Sequence, residues 1–209
     1  MTLDILIPAF VTLFVIIDPI GLAPVFLALT RDMTSGHRRI VGLRAVLVAA
    51  AILTVFGLAG QAVLDLFGIS MAAFRIAGGA LLFLTALDML FERRKQRRES
   101  QSEASVLDPA DDPSVFPLAM PLISGPGAMA TMILLMGNAS DVGGKLAVLG
   151  VMIAVLAVVF AFFLAAGWLG RYLKDTGINV VTRLLGMLLA ALAIQFMIDG
   201  LAQTPLFAV

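Results

Sequence analysis

The chain has 209 residues, of which 61% are hydrophobic and only 13% charged, and its mean hydropathy is +1.06. Soluble domains carry about 45–50% apolar and about 25% charged residues, so this inventory cannot cover a water-facing surface and the chain is read as a membrane protein. Acidic and basic residues balance at 14 each, so the positions of the charges carry the information, and eleven of them lie between Glu92 and Asp112.

Six apolar segments are expected, each near the roughly 20 residues that span a bilayer core as a helix: Leu3–Leu29, Ile40–Leu64, Ile69–Phe91, Val115–Gly137, Leu146–Leu169 and Ile178–Leu201. None alternates apolar with polar residues, which excludes an outer-membrane barrel. The first segment follows Met1-Thr2-Leu3-Asp4, without the basic start of a cleaved signal, and is read as a retained helix. It is interrupted by Asp18, Pro19 and Gly21. The turn after it holds Arg31, Arg38, Arg39 and the single histidine, His37. With one His and no Cys, no metal site, disulfide or His-based catalytic group is expected, and the chain is read as a non-enzyme.

With the segments alternating sides, ten Lys/Arg fall on one side (Arg31, Arg38, Arg39, Arg93, Arg94, Lys95, Arg97, Arg98, Arg171 and Lys174) and only Lys145 on the other. The first side is then cytoplasmic and both termini are outside. Residues 92–113 lack apolar periodicity and read as a charged cytoplasmic linker between two halves, 1–91 and 114–209; their basic run can also meet anionic lipid headgroups.

The halves resemble each other. Arg75, Gly78, Leu81 and Leu84 recur as Arg183, Gly186, Leu189 and Leu192 at identical three-residue offsets. Leu matches are cheap in apolar helices, whereas arginine is expensive there, so the weight lies on Arg75 and Arg183. Either arginine can snorkel to the interface or join an ion pair; a gating or coupling contact is the functional alternative. A three-span unit, being odd, inserts in opposite senses when repeated. The expected fold is therefore all-α and polytopic, with six transmembrane helices arranged as two inverted three-helix repeats and helices one and four broken mid-membrane.

The breaks are Asp18-Pro19-Ile20-Gly21 and Ile123-Ser124-Gly125-Pro126-Gly127. Proline removes an amide donor and clashes with the preceding turn, and freed backbone groups in lipid need protein, water or a ligand as partner. Each break alone can be a simple kink. Paired, they point to a substrate site where two half-helix amino ends, each about half a positive charge, converge on a carboxylate. Asp18 lies roughly 22 Å along its helix, past the middle of a core about 30 Å thick. It can cap the second half-helix, bind a substrate ammonium or carry a proton. Asp88 and Asp199 sit near helix ends and read as solvated; Gln195 reads as an interhelical hydrogen-bonding group.

Phe14-Val15-Ile16-Ile17-Asp18-Pro19-Ile20-Gly21, followed by Pro24-Val25-Phe26 and Leu29-Thr30, resembles the opening signature of the MarC family of bacterial inner-membrane proteins. Phe116-Pro117-Leu118-Ala119-Met120-Pro121-Leu122-Ile123-Ser124-Gly125-Pro126-Gly127-Ala128 is similar to its second signature. The family includes small neutral amino acid transporters of the SnatA type. The resemblance implies a multi-pass protein of the inner membrane that carries glycine, alanine, serine or threonine, coupled to H+ or alternatively Na+. Export of other small metabolites or drugs is an alternative within the same class; a lipid-processing membrane enzyme and a passive channel are alternatives from other classes. No phosphate-binding loop is present, so an ion gradient and no cofactor is expected to supply the energy. The expected partners are the amino acid and the lipid bilayer, with no nucleic acid.

Overall fold

A computed structural model describes residues 3–93, 98, 112–139, 141–172 and 175–204. Most of the predicted linker, at 94–97 and 99–111, lies outside the described residues. The helices are α1 (Leu3–Ile17), α2 (Pro19–Leu29), α3 (Ser35–Leu66), α4 (Met71–Leu90), α5 (Ser114–Ile123), α6 (Pro126–Asn138), α7 (Val142–Tyr172) and α8 (Asp175–Ala202). There is no strand among the described residues.

Among the described residues, five helical stretches are long and apolar enough to cross a membrane, and there are six if the bent pair α5 and α6 is one span. The predicted segments match these stretches, with shifted ends that local capping explains. Thr34 Oγ1 accepts the His37 amide at 3.4 Å, which starts α3 at Ser35 and places Arg38 and Arg39 on its first turns. Ser70 Oγ caps α4 by accepting the Ala73 amide, and Asp141 Oδ1 accepts the Gly144 amide at the start of α7. At about 1.5 Å per residue, the 32 residues of α3 exceed a 30 Å core, so this helix tilts or projects beyond it.

The span formed by α1 and α2 is well enclosed: 61% of its apolar window is buried, against 22% for α8. The outer faces of α3, α4, α7 and α8 expose large apolar side chains such as Leu47, Leu84, Ile153 and Leu188, as lipid-facing surfaces do. Small residues let the helices approach. α4 and α8 run antiparallel along their length, with Gly200 against Ala72 and Ile76, Gly79 against Ala193 and Met197, and Gly186 against Ala86 and Met89. α2 packs on α7, where Phe26 and Phe163 stack with ring centroids 4.1 Å apart, and α6 packs on α3, where Ile133 fills the space over Gly60.

α5 is wound wide. The Leu118 amide donates to the Pro113 carbonyl and the Ser124 amide to the Ala119 carbonyl, both five residues back. Pro117 and Pro121 disfavour helical backbone in the residues before them. Phe116 (φ −124°, ψ 125°) and Met120 (φ −129°, ψ 124°) are accordingly extended. The chain then turns through 61° into α6.

Candidate functional site

At the first break a single residue leaves the helix. Asp18 has φ 58° and ψ 68°, a left-handed conformation that Asp tolerates better than most non-glycine residues. Its amide still donates to the Phe14 carbonyl and its carbonyl still accepts the Leu22 amide, so the hydrogen-bond ladder runs on through the break. The ladder is open at Pro19, which has no amide, and at the Gly21 amide, which the Asp18 carboxylate takes through Oδ1 at 3.0 Å. That amide would otherwise bond the carbonyl of Ile17, four residues back, so the cap releases an acceptor in a place without water.

Arg98 supplies the missing partner. Its Nη2 donates to the Ile17 carbonyl and its Nη1 to Asp18 Oδ2, each at 3.1 Å. Asp18 is 1% exposed and Arg98 5%, so this is a fully desolvated ion pair. The sequence reading placed Arg98 among the orientation-setting basic residues of the linker; instead its long side chain reaches into the first break. An isolated buried carboxylate is costly, and the guanidinium offsets that cost through Nη1 while satisfying the freed carbonyl through Nη2. Gly21 is required here, because a Cβ at that position would stand 2.2 Å from Asp18 Oδ2.

The second break is built differently. Gly125 is the N-cap of α6, and among the described residues no side chain caps its first turn. Pro126 has no amide, so the first free donors belong to Gly127 and Ala128. Ser124, the expected capping or substrate-contacting hydroxyl, is fully buried and donates to the Ala49 carbonyl of α3 at 3.4 Å.

A cavity of about 290 Å³ lies over this break. Ile123, Gly125, Pro126 and Gly127 line it, joined by Ile16 of α1, Thr85 and Asp88 of α4, and Arg98. Of the residues expected at a substrate site, those of the second break meet at the cavity, apart from Ser124. Asp18, Pro19, Ile20 and Gly21 are not in its wall; Asp18 communicates with it through Arg98.

Arg75 is buried and donates to the Asn138 side-chain oxygen at the end of α6, rather than snorkelling. Arg183 is exposed and pairs with Glu92 beyond α4. Neither lines the cavity, and the two occupy different environments. Gln195 donates to Asp199 at 2.7 Å within α8, one turn apart, and so bonds along its own helix rather than across to another.

Sequence reasoning missed Thr85, Asp88 and Arg98 as cavity residues. Asp88 is half-buried in the cavity wall rather than simply solvated.

A family model described as "MarC family integral membrane protein" matches residues 3–204. The UPF0056 membrane protein YhcE of Escherichia coli is 38% identical over 193 residues, covering 92% of this chain and 89% of that protein. A UPF0056 membrane protein of Methanocaldococcus jannaschii is 35% identical over 201 residues, covering 96% and 98%. YvbG of Bacillus subtilis, also a UPF0056 membrane protein, is 32% identical over 209 residues, covering 96% of each chain. No solved structure matches.

Proposed function

The chain belongs to the MarC family of integral membrane proteins, and from that membership and the geometry of its breaks we propose that it is a secondary transporter of small neutral amino acids of the glycine, alanine, serine and threonine class. The observation that carries this reading is the placement of Arg98, which pairs with Asp18 in the first break and also lines the cavity over the second. A substrate carboxylate docks on the Gly127 and Ala128 amides and on the Arg98 guanidinium, which suits anions at a helix amino end. Asp88, in the same wall, accepts the ammonium. Gly127 limits substrate size, because it lines the cavity wall without a side chain, where a Cβ would stand 3.2 Å from Leu82 Cδ2 and 3.4 Å from Ile16 Cγ2.

Coupling follows from competition. The substrate carboxylate and Asp18 are rival partners for Arg98, and a proton on Asp18 removes the charge that holds the guanidinium in the first break. Substrate and proton therefore favour the same rearrangement, which supports H+ rather than Na+ as the coupling ion. Arg75 and Arg183 act at the ends of the moving helices. The chain works as a carrier, without cofactor or covalent chemistry.

Inverted repeats provide the alternating movement in this reading. Its support is the recurrence of Arg, Gly, Leu and Leu in α4 and α8 and the packing pattern: α2 rests on α7 as α6 rests on α3, while α4 and α8 pair with each other. The excess of basic residues between spans supports placement in the plasma (inner) membrane with the linker in the cytoplasm and the termini outside.

Counterflow of labelled glycine and alanine in proteoliposomes tests the carrier. Saturable exchange is expected; a leak linear in concentration would point to a channel. Asp18→Asn should keep counterflow and lose uptake driven by a pH gradient. If the variant retains full gradient-driven uptake, Asp18 is not the coupling residue. Imposing a Na+ gradient in the same vesicles separates the two possible coupling ions.

A further inference from the structure

Arg38 stands on the first turns of α3, at the turn that joins it to α2, away from both breaks. Its Nη2 donates to the Thr30 carbonyl at 3.0 Å, which holds the side chain against the end of α2. Its Nε is buried and has no hydrogen-bond partner among the described residues. A guanidinium is charged at any physiological pH, so an orphaned buried donor on it is a standing cost unless an acceptor arrives.

Two cavities share this side chain. One, of about 460 Å³, runs between α2, α7 and α8 with Ala23, Leu27, Ala166 and Ile178 in its walls and Arg31 beside Arg38. The other, of about 130 Å³, lies between α2, α3 and α7, with apolar walls and Arg38 beside Arg39. The arrangement is one cationic edge from which two apolar grooves lead away, at the end of one span and the start of the next, the depth at which lipid headgroups lie.

We infer that this edge is a binding site for one anionic phospholipid. The phosphate lies against the Arg38 guanidinium, drawing its Nε–H out of its buried position, and is flanked by Arg31 and Arg39, and the acyl chains lie in the two grooves. A soluble anion would satisfy Nε but leave the grooves empty, and a zwitterionic lipid would bring its own cation to a site that is already positive. Basic pockets between membrane helices recognise anionic headgroups by this combination. None of the residues around the grooves lines the cavity over the second break, so the site stands apart from the transport reading.

The test uses the purified full chain in detergent, with thermal unfolding followed during titration with phosphatidylglycerol, phosphatidylcholine of the same acyl chains, or inorganic phosphate. Phosphatidylglycerol is expected to raise the unfolding midpoint at lower concentrations than phosphatidylcholine. Arg38→Gln should weaken that preference about fivefold, the effect of one basic residue at an anionic surface. Ala28→Phe narrows the larger groove and leaves all three arginines in place. It should weaken phosphatidylglycerol binding as well, and it decides the matter if Arg38→Gln does not fold. Equal responses to the two lipids, an unchanged preference in either variant, or a phosphate response that reproduces that of phosphatidylglycerol would overturn the inference.

Discussion

The two helix breaks start from similar residues, a proline with glycine within two positions of it, and end in opposite states. At the first, Asp18 caps the α2 amide and Arg98 neutralises Asp18 and takes the carbonyl that the cap released. At the second, no side chain among the described residues caps α6, and its first amides border a cavity. A break whose polar groups are satisfied from within is a structural joint. One whose donors face a cavity is completed by something from outside. Arg98 belongs to both, and that makes the difference between them adjustable.

The largest expected effect comes from removing it. Arg98→Ala leaves the Asp18 carboxylate and the Ile17 carbonyl buried without their partner, which is expected to cost about 3–5 kcal/mol in chemical unfolding of the detergent-solubilised protein. Adding Asp18→Asn to that variant should recover a good part of the loss, because the uncompensated charge is gone. If Arg98→Ala unfolds like the wild type, the first break is not held by this pair and the contrast between the breaks fails.

A smaller effect sharpens the contrast with one methyl group at each break. In Gly21→Ala the new Cβ would sit 2.2 Å from Asp18 Oδ2 and 3.0 Å from Arg98 Nη1, so the ion pair has to move. A loss of about 1–3 kcal/mol is expected, the usual range for overpacking. In Gly127→Ala the nearest atoms are Leu82 Cδ2 at 3.2 Å and Ile16 Cγ2 at 3.4 Å, which need to give only slightly. Stability should change by less than about 1 kcal/mol. The KM for transport should rise several-fold, and more for threonine than for glycine. The reverse outcome, a KM effect at Gly21 and a stability effect at Gly127, would exchange the roles of the two breaks.

The apolar spans were legible in the sequence because their cause is local. An apolar run of spanning length in a chain this poor in charge has few other uses, whereas proline alone does not place a break, since Pro8 and Pro24 stand inside α1 and α2. Helix ends were less legible. Thr34 and Asp141 each extend a helix by a few residues into polar sequence, where hydropathy alone sees a loop. Arg98 could not be read at all. It sits in a run of like charges that, on composition, belongs in water, and its partner Asp18 is 80 residues away. The one available signal was the cost of Asp18 itself: a carboxylate that deep implies a cation, and the linker is the richest source. Arg75 shows the converse limit. Its recurrence as Arg183 suggested a shared role, yet one is buried against Asn138 and the other exposed against Glu92, and sequence offsets carry no information about such partners.

The smallest effect concerns what positions the second break. Asp112 precedes α5; its Oδ1 accepts the Ser114 amide at 3.0 Å and its Oδ2 meets Arg44 of α3. Partial burial pushes this carboxyl up, but the Ser114 hydrogen bond and the Arg44 guanidinium outweigh it and hold the group below the usual carboxylate range. A carboxyl depressed on folding adds stability above its unfolded pKa of about 3.9 and loses that stability as pH falls through the lower folded value. Asp112→Asn should therefore lower the unfolding midpoint slightly near pH 7 and leave it unchanged in strong acid. The pair is open to water, with side chains 57% and 38% exposed, so the loss should stay below about 1 kcal/mol. Its value lies in where it acts. Loosening α5 against α3 disturbs the approach to Gly125 without touching Asp18 or Arg98. A change in transport KM with unaltered pH-gradient coupling would then place substrate recognition at the second break and coupling at the first, whereas a joint change would mean that the two breaks move as one unit.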